Sequence, residues 1–497
     1  MLSNRYHQYL NSMKGMAVFD TIDLFLRRCK RYDNFYSRRR LFLIIIVALV
    51  IVLYVIPLIF NKLWTKSITY SDNNIECIER HIHPFLVDDH NFDTKIWKSY
   101  DMSEESAKHL LPYIGNGKFA ISVQNSDNSF NILGKRALDL SLPFHPIVDI
   151  DYFGAVSQHA DVIRFKDGIV NKITCFDYLK KSASIKQTFY AHRLIPALFV
   201  QEIRITNPTD VPLIIKLSRK GWMGESNIKV QPMLVPNKEQ KEYSLLVGQL
   251  DASQWSHLNR VVAVGVAYSQ LTDTIEIDSH SAQTIRVQTF LNYTIPTPIS
   301  QIAAKVPELK VAVRETVKKA LELTPSALEK YHISMWNDLW SSGFGISHSM
   351  APNALNGDLI NATLYCLMSQ TNTLPYDSEL MSLSDFGHKI SQSKALLLSP
   401  DHCYNGHSTL QASTLWSKLD TLNDVNRIAN LWLLTLEKQG CHHLISSGSH
   451  GVMQAMILSM ASLQFTKHHL EFNTHPNELH RNYYIRRIIY GNETLIN

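Results

Sequence analysis

Between about residues 110 and 300, apolar and polar side chains alternate in short runs separated by turn residues. In 199–206 an extended chain puts Phe199, Gln201, Ile203 and Ile205 on one face and Val200, Glu202, Arg204 and Thr206 on the other. Asn207-Pro208-Thr209-Asp210 then breaks the run with strong turn chemistry. Segments 261–268 and 283–293 repeat the texture, and strands at this spacing predict an antiparallel sandwich. Near residue 305 the period lengthens. Leu309, Val313, Val317 and Leu321 recur at helical steps within 306–323. Thr324-Pro325 reads as an N-cap followed by Pro at the first helical position, opening a helix with Leu328, Tyr331/His332, Met335/Trp336 and Leu339/Trp340 on one face. Ser341-Ser342-Gly343 closes it, and helical texture resumes in 359–370, 409–415, 425–439 and 452–463 before a β texture returns in 483–490.

One run departs from both patterns. Residues 41–60, LFLIIIVALVIVLYVIPLIF, are apolar without a charge. At about 1.5 Å rise per residue they span roughly 30 Å, the thickness of a bilayer hydrocarbon core. Arg38, Arg39 and Arg40 abut the near end, and only Lys62 and Lys66 lie close on the far side. The positive-inside rule therefore predicts a type II signal-anchor: tail 1–40 cytosolic, everything beyond about residue 61 lumenal in the endoplasmic reticulum, Golgi or another secretory-pathway membrane. Charge follows the same division. The tail has nine Lys/Arg against three Asp/Glu, while the whole chain is only +5, so the remainder is close to neutral. That distribution excludes a nucleic-acid groove and leaves the tail as a candidate partner for anionic lipid.

The lumenal side carries three N-glycosylation triplets, at Asn292, Asn361 and Asn492. Five of the six cysteines lie there too: Cys77, Cys175, Cys366, Cys403 and Cys441. An oxidising compartment permits disulfides, an odd count leaves one thiol over, and spacing does not fix the pairing.

Candidate chemistry is sparse. Residues 401–407, Asp-His-Cys-Tyr-Asn-Gly-His, bring His402, Cys403 and His407 together, with Cys441-His442-His443 further on. Zinc would accept such ligands, but the spacing matches no standard pattern, and a Cys403–Cys441 disulfide suits the compartment better. Cys77 and Cys175 are further disulfide candidates, and no metal site is expected. Gly115-Asn116-Gly117 lacks the third glycine and lysine of a phosphate cradle and reads as a tight turn between strands, so no cofactor is expected. Trp336 and Trp340 are four apart on a helix, which predicts core packing before sugar stacking. Asp377, Glu379, Asp385 and Asp401 are the carboxylates that could serve glycoside chemistry; acidic residues in such stretches are more often simply solvated.

Two resemblances follow from these residues. Segments 401–416, 431–441 and 451–472, and more loosely 200–210 and 361–369, resemble an uncharacterised family of animal single-pass membrane proteins whose human member carries a cDNA-project identifier. That resemblance implies a longer protein, with further β structure and a second transmembrane helix beyond residue 497. The chain also resembles, more distantly, glycoside hydrolase family sixty-five, the trehalase/maltose-phosphorylase type. It does so through 113–119, through Trp336, Trp340 and Ile346, and through Tyr404-Asn405-Gly406-His407. This implies a β-supersandwich, a helical linker, an (α/α)6 barrel and a small β domain. Where those enzymes continue with Phe-Trp-Asp and then Glu, this chain reads Thr409, Leu410, Gln411 and then Ser413. Twelve barrel helices with their loops need roughly 200 residues, whereas 352–464 supplies 113.

The reading is thus an α+β protein. It has a basic tail (1–40), a transmembrane helix (41–60), a lumenal β-supersandwich (61–300) and a helical linker (301–350). A reduced α/α barrel-like domain (351–465) and the start of a C-terminal β segment (466–497) follow. The expected function is a pseudoenzyme scaffold of the secretory pathway that binds a glycan or a lumenal protein. An inverting glycosidase and a structural or trafficking adaptor are the alternatives.

Overall fold

The computed structural model describes residues 73–101, 110–124, 128–152, 157–224, 229–234, 242–252, 260–373, 395–398, 400, 402–475, 480–491 and 494–497, with Ile46 and Leu49 as isolated helical positions. The expected transmembrane segment 41–60 otherwise lies outside the described residues. Among those described, no helix is long and apolar enough to cross a membrane.

Ser71–Asn497 forms one compact unit of mixed α and β structure. Its backbone is a ten-stranded antiparallel sheet. From one edge the order is Thr94–Lys98, Ser157–Arg164, Ile169–Tyr178, Lys181–Ala191, Leu198–Asn207, Ser281–Tyr293, Arg260–Ser269, Glu242–Asp251 and Lys229–Leu234, with Thr297–Pro298 beside Arg260–Ser269. In register, Ile205 faces Ile185 on one neighbour and Ile203 faces Ile285 on the other. Two smaller antiparallel sheets cover the inner face. One has three strands, Thr274–Ile277, Leu213–Trp222 and Phe144–Tyr152; the other has four, from Tyr113–Gly115 to Leu140–Leu142.

The imperfect alternation of 199–206 has a physical cause. Phe199, Gln201, Ile203 and Ile205 all point inward and are buried. Gln201 is tolerated there because its amide donates to the Val148 carbonyl and accepts from the Val148 N–H, satisfying both ends. Leu198 and Val200 point outward but are buried as well, because helices cover that end of the sheet.

Those helices are α3 (Ile302–Leu321) and α4 (Pro325–Trp340); α1 (73–82) and α2 (Leu86–His90) precede the sheet in the chain. Helix α3 lays Ile302, Leu309, Val313 and Val317 on the outer face. Thr324 caps α4 by accepting from the Ala327 N–H. Helix α1 packs Cys77, Ile78 and Ile82 against Ala160, Val162, Ile173 and Cys175, also on the outer face.

The helical body comprises α5 (Gly357–Gln370), α6 (Leu422–Lys438), α7 (His442–Ser446) and α8 (Ser449–Met460). Helix α6 has one apolar stripe. Helices α5 and α8 are buried almost all round, as apolar helices with no polar face must be. Residues 409–415 are not the expected helix but two 3-10 turns, Thr409–Gln411 and Ser413–Leu415. Non-helical Ala412 separates them, and the Trp416 indole N–H occupies the Thr409 carbonyl that an α-helix would use. One core runs without a break from the four-stranded sheet through the large sheet into α5, α6 and α8.

Candidate functional site

The sandwich and the helical body meet at the Gly115-Asn116-Gly117 turn, which joins Tyr113–Gly115 to Phe119–Ser122 as the tight turn expected. Asn116 Oδ1 accepts from the Lys118 and Phe119 N–H groups at 3.0 and 3.2 Å. Its Nδ2 donates to the carbonyls of His192 and Pro196. Gly117, at φ +84°, donates its N–H to the Ser369 carbonyl at the end of α5. A Cβ there would lie 2.1 Å from the Asn372 backbone nitrogen, so only glycine permits this backbone-on-backbone approach.

Arg193 reinforces the junction from the strand side. Its guanidinium is buried and donates to the carbonyls of Met368 and Thr371, to Thr373 Oγ1 at 2.9 Å and to Ser449 Oγ at 3.2 Å. It also lies 4.4 Å from the Trp336 ring centroid. A cation on the last carbonyls of α5 meets the negative end of the helix dipole. Burial pulls its pKa down to about 9, which still leaves it charged at neutral pH. Gln370 adds bonds from Nε2 to Tyr113 Oη (2.8 Å) and Asn426 Oδ1 (3.0 Å).

Beside this weld opens a pocket of about 270 Å³. Leu133, Leu433, Ile445 and Val452 supply its apolar surfaces; Gly117, Gln370, Thr371, Asn372 and Ser446 supply amide and hydroxyl groups. Arg136 from the sandwich donates to Glu437 of α6 at 2.9 Å across it, both side chains about one-third exposed. Glu437 is the sole carboxylate among the described lining residues. An apolar floor under a rim of donors and acceptors suits a polar ring compound.

The buried histidines beneath are structural. His192 Nε2 donates to the Leu328 carbonyl and its Nδ1 accepts from two N–H groups, while burial pushes its pKa down to about 4. His332 donates to the Gly168 carbonyl and is likewise held well below its usual range, by burial first and then by His192. Trp336 and Trp340 pack in the core as expected, with Trp340 Nε1 donating to Asp93.

The carboxylates Asp377, Glu379, Asp385 and Asp401 lie outside the described residues, as does Asn492. Asn292 is sealed inside the protein: its side-chain oxygen accepts from Lys118 Nζ and its Nδ2 reaches Thr316 Oγ1 at 3.3 Å. The folded body leaves no room for a glycan there, a constraint that a three-residue motif does not register. Asn361 is half-buried within α5, its Nδ2 donating to the Phe92 carbonyl. Cysteines pair as Cys77–Cys175 and Cys403–Cys441, and Cys366 is a buried thiol whose pKa burial raises to about 12. Among the described residues, the side chains grouped closely enough to hold a metal are Cys77, His81 and Cys175, both cysteines being bonded to each other. Arg193, Arg136 and Glu437 are absent from the sequence-based candidates because their partners lie far away in the chain.

This arrangement defines an α+β sandwich protein with a pocket at its helical junction. The chain belongs to an uncharacterized conserved protein family (DUF2152), whose model matches residues 27–497. It is 28% identical over 410 residues to the uncharacterized protein KIAA2013 homolog of Xenopus tropicalis, covering 79% of this chain and 64% of that protein. The Xenopus laevis homolog is 28% identical over 400 residues, covering 77% and 62%. The chain thus spans just under two thirds of the length of these relatives. A solved structure of a candidate kojibiose phosphorylase from the human microbiome overlaps 76% of this chain and 60% of its own, with TM-score 0.41 and 8% identity, a likeness too slight to build on.

Proposed function

We propose that this protein is a membrane-anchored, non-catalytic scaffold of the secretory pathway whose lumenal body binds a glycan in the pocket between sandwich and helices. The observation that carries the reading is the pocket itself: an apolar floor, an amide rim, and a single described carboxylate, Glu437, already paired with Arg136. Glycoside hydrolysis takes two carboxyl groups facing across the cleft, about 5–5.5 Å apart for retention or 6.5–9.5 Å for inversion. The pocket's described lining offers one. The two disulfides support an oxidising compartment, and the charge-free run 41–60 behind three arginines supports the anchor.

The test is to incubate the detergent-solubilised full chain with glucosides and glycoprotein glycans between about pH 5 and 7, following thermal stabilisation and sugar release together. The expected outcome is stabilisation without release. Arg136→Ala should lose most of that stabilisation while changing the free protein's stability by less than about 1 kcal/mol, as exposed ion pairs do. Sugar release abolished by Asp377→Asn, Glu379→Gln, Asp385→Asn or Asp401→Asn would replace the scaffold with a glycosidase. A folded sample giving neither signal would leave the adaptor reading in its place.

A further inference from the structure

Away from the pocket, one cluster unites three side chains of metal-binding chemistry. Cys77 and His81 are four residues apart on α1, so they stand on one face of the helix. Cys175 meets them from the outer face of Ile169–Tyr178, and the sulfur atoms and an imidazole nitrogen all lie within 4.8 Å of one another. A covalent staple needs the two sulfurs only. Nothing in it requires an imidazole, and His81 makes no hydrogen bond among the described residues.

We propose that Cys77, His81 and Cys175 form a thiolate–imidazole metal site that the disulfide closes and reduction opens. A dithiol passes two electrons and two protons to the Cys77–Cys175 bond, becoming a disulfide itself and leaving two thiols. Zn²⁺ then displaces both thiol protons to solvent. It takes the sulfurs at about 2.3 Å and the imidazole nitrogen at about 2.0–2.1 Å, with water in the fourth position. Tetrahedral bonds of that length set the sulfurs about 3.8 Å apart, so the two sulfurs, joined to each other in the oxidised protein, separate when the bond is reduced, with His81 already beside them. The two sulfurs and the imidazole set the ligand class, and the surrounding charge agrees with it. Arg80, Lys186 and Arg204 all act on His81 and would repel a bare dication. Only an ion that brings both cysteines to thiolates is neutralised there, which selects thiophilic Zn²⁺ or Cu⁺ over Mg²⁺ or Ca²⁺. In either redox state the same residues hold α1 to the sheet. The proposal is independent of the pocket and its ligand.

The experiment uses the full chain, reduced with a phosphine, desalted without air and titrated with Co²⁺ alone. One equivalent should bind with a near-ultraviolet thiolate-to-cobalt charge-transfer band that Zn²⁺ removes, and the oxidised protein should give no band. Cys77→Ser/Cys175→Ser should abolish it. His81→Ala, which retains the disulfide and therefore the purified fold, should weaken binding tenfold or more once reduced, since even outer-shell partners are worth about 10–100-fold. Circular dichroism of the reduced chain and its melting with and without Zn²⁺ provide a second readout, with zinc expected to raise the melting temperature. The proposal fails if the reduced, folded chain gives no band, or if the band survives in Cys77→Ser/Cys175→Ser, which would put the cobalt on Cys29, Cys366, Cys403 or Cys441. It fails equally if His81→Ala binds as tightly as the parent, or if the reduced chain unfolds and zinc does not restore it.

Discussion

Two attachments to the large sheet are built on opposite principles. On the outer face, α1 rests on a small apolar cluster and is fastened by the Cys77–Cys175 bond. On the inner side, the helical body shares an extensive core with the sandwich and, among the described residues, no disulfide joins the two; buried polar groups, above all Arg193, Gln370 and the Gly117 backbone, hold the register. Apolar area is non-directional. The small contact needs a bond to persist, whereas the large contact needs directional groups to choose one arrangement among many.

The contrast is broken most severely at Arg193. Arg193→Ala removes the buried guanidinium donor from the Thr371 carbonyl and two hydroxyls, and leaves the Met368 carbonyl only its longer bonds from Thr371. It should cost about 4 kcal/mol in denaturant unfolding of the whole unit. Arg193→Lys should not restore it, because an ammonium cannot match the planar fork. Acid tests the same junction without mutation. His192 is held down to about 4 from an ordinary 6.5, so the unfolded chain binds the proton that the folded chain refuses. Its contribution is complete above pH 6.5 and is lost as pH falls toward 4, by up to about 3 kcal/mol. His332 adds in the same direction. Stability measured stepwise across that interval should fall steadily; a flat profile would mean that the histidines are not buried neutral. Cys77→Ser/Cys175→Ser acts on the smallest part of the body. The closed loop spans 98 residues, worth at most about 3–5 kcal/mol, but the loss should appear first as hydrogen exchange confined to 73–90, with α5 and α8 still protected.

Local pattern carried much of the architecture. The alternation of 199–206 marks an inner face that is indeed buried, and Thr324-Pro325 marks the start of α4, because both depend on neighbours in sequence. Val200 blurred the alternation for a reason that lies in α3, over a hundred residues on. The 3-10 turns at 409–415 depend on an indole bond from Trp416 that apolar spacing cannot report. The site was least legible. Arg193 bonds residues 175 to 256 positions away, and Arg136 meets Glu437 across 301. No periodicity distinguishes such a residue from a solvated one.

The hairpin at 113–122 has a consequence for synthesis. Its carbonyl at Tyr113 accepts from the hydroxyl of Tyr365, 252 residues later, and its turn rests on Ser369. At about 5–20 residues per second, the ribosome takes roughly 13–50 s to deliver those partners. For that interval Tyr113, Ile114, Phe119 and Ile121, all fully buried in the finished protein, have their sandwich neighbours such as Phe130 and Phe199 but not the side of the core that α5 supplies. The sandwich part of the core is therefore complete in sequence well before the helical part that seals it has been made.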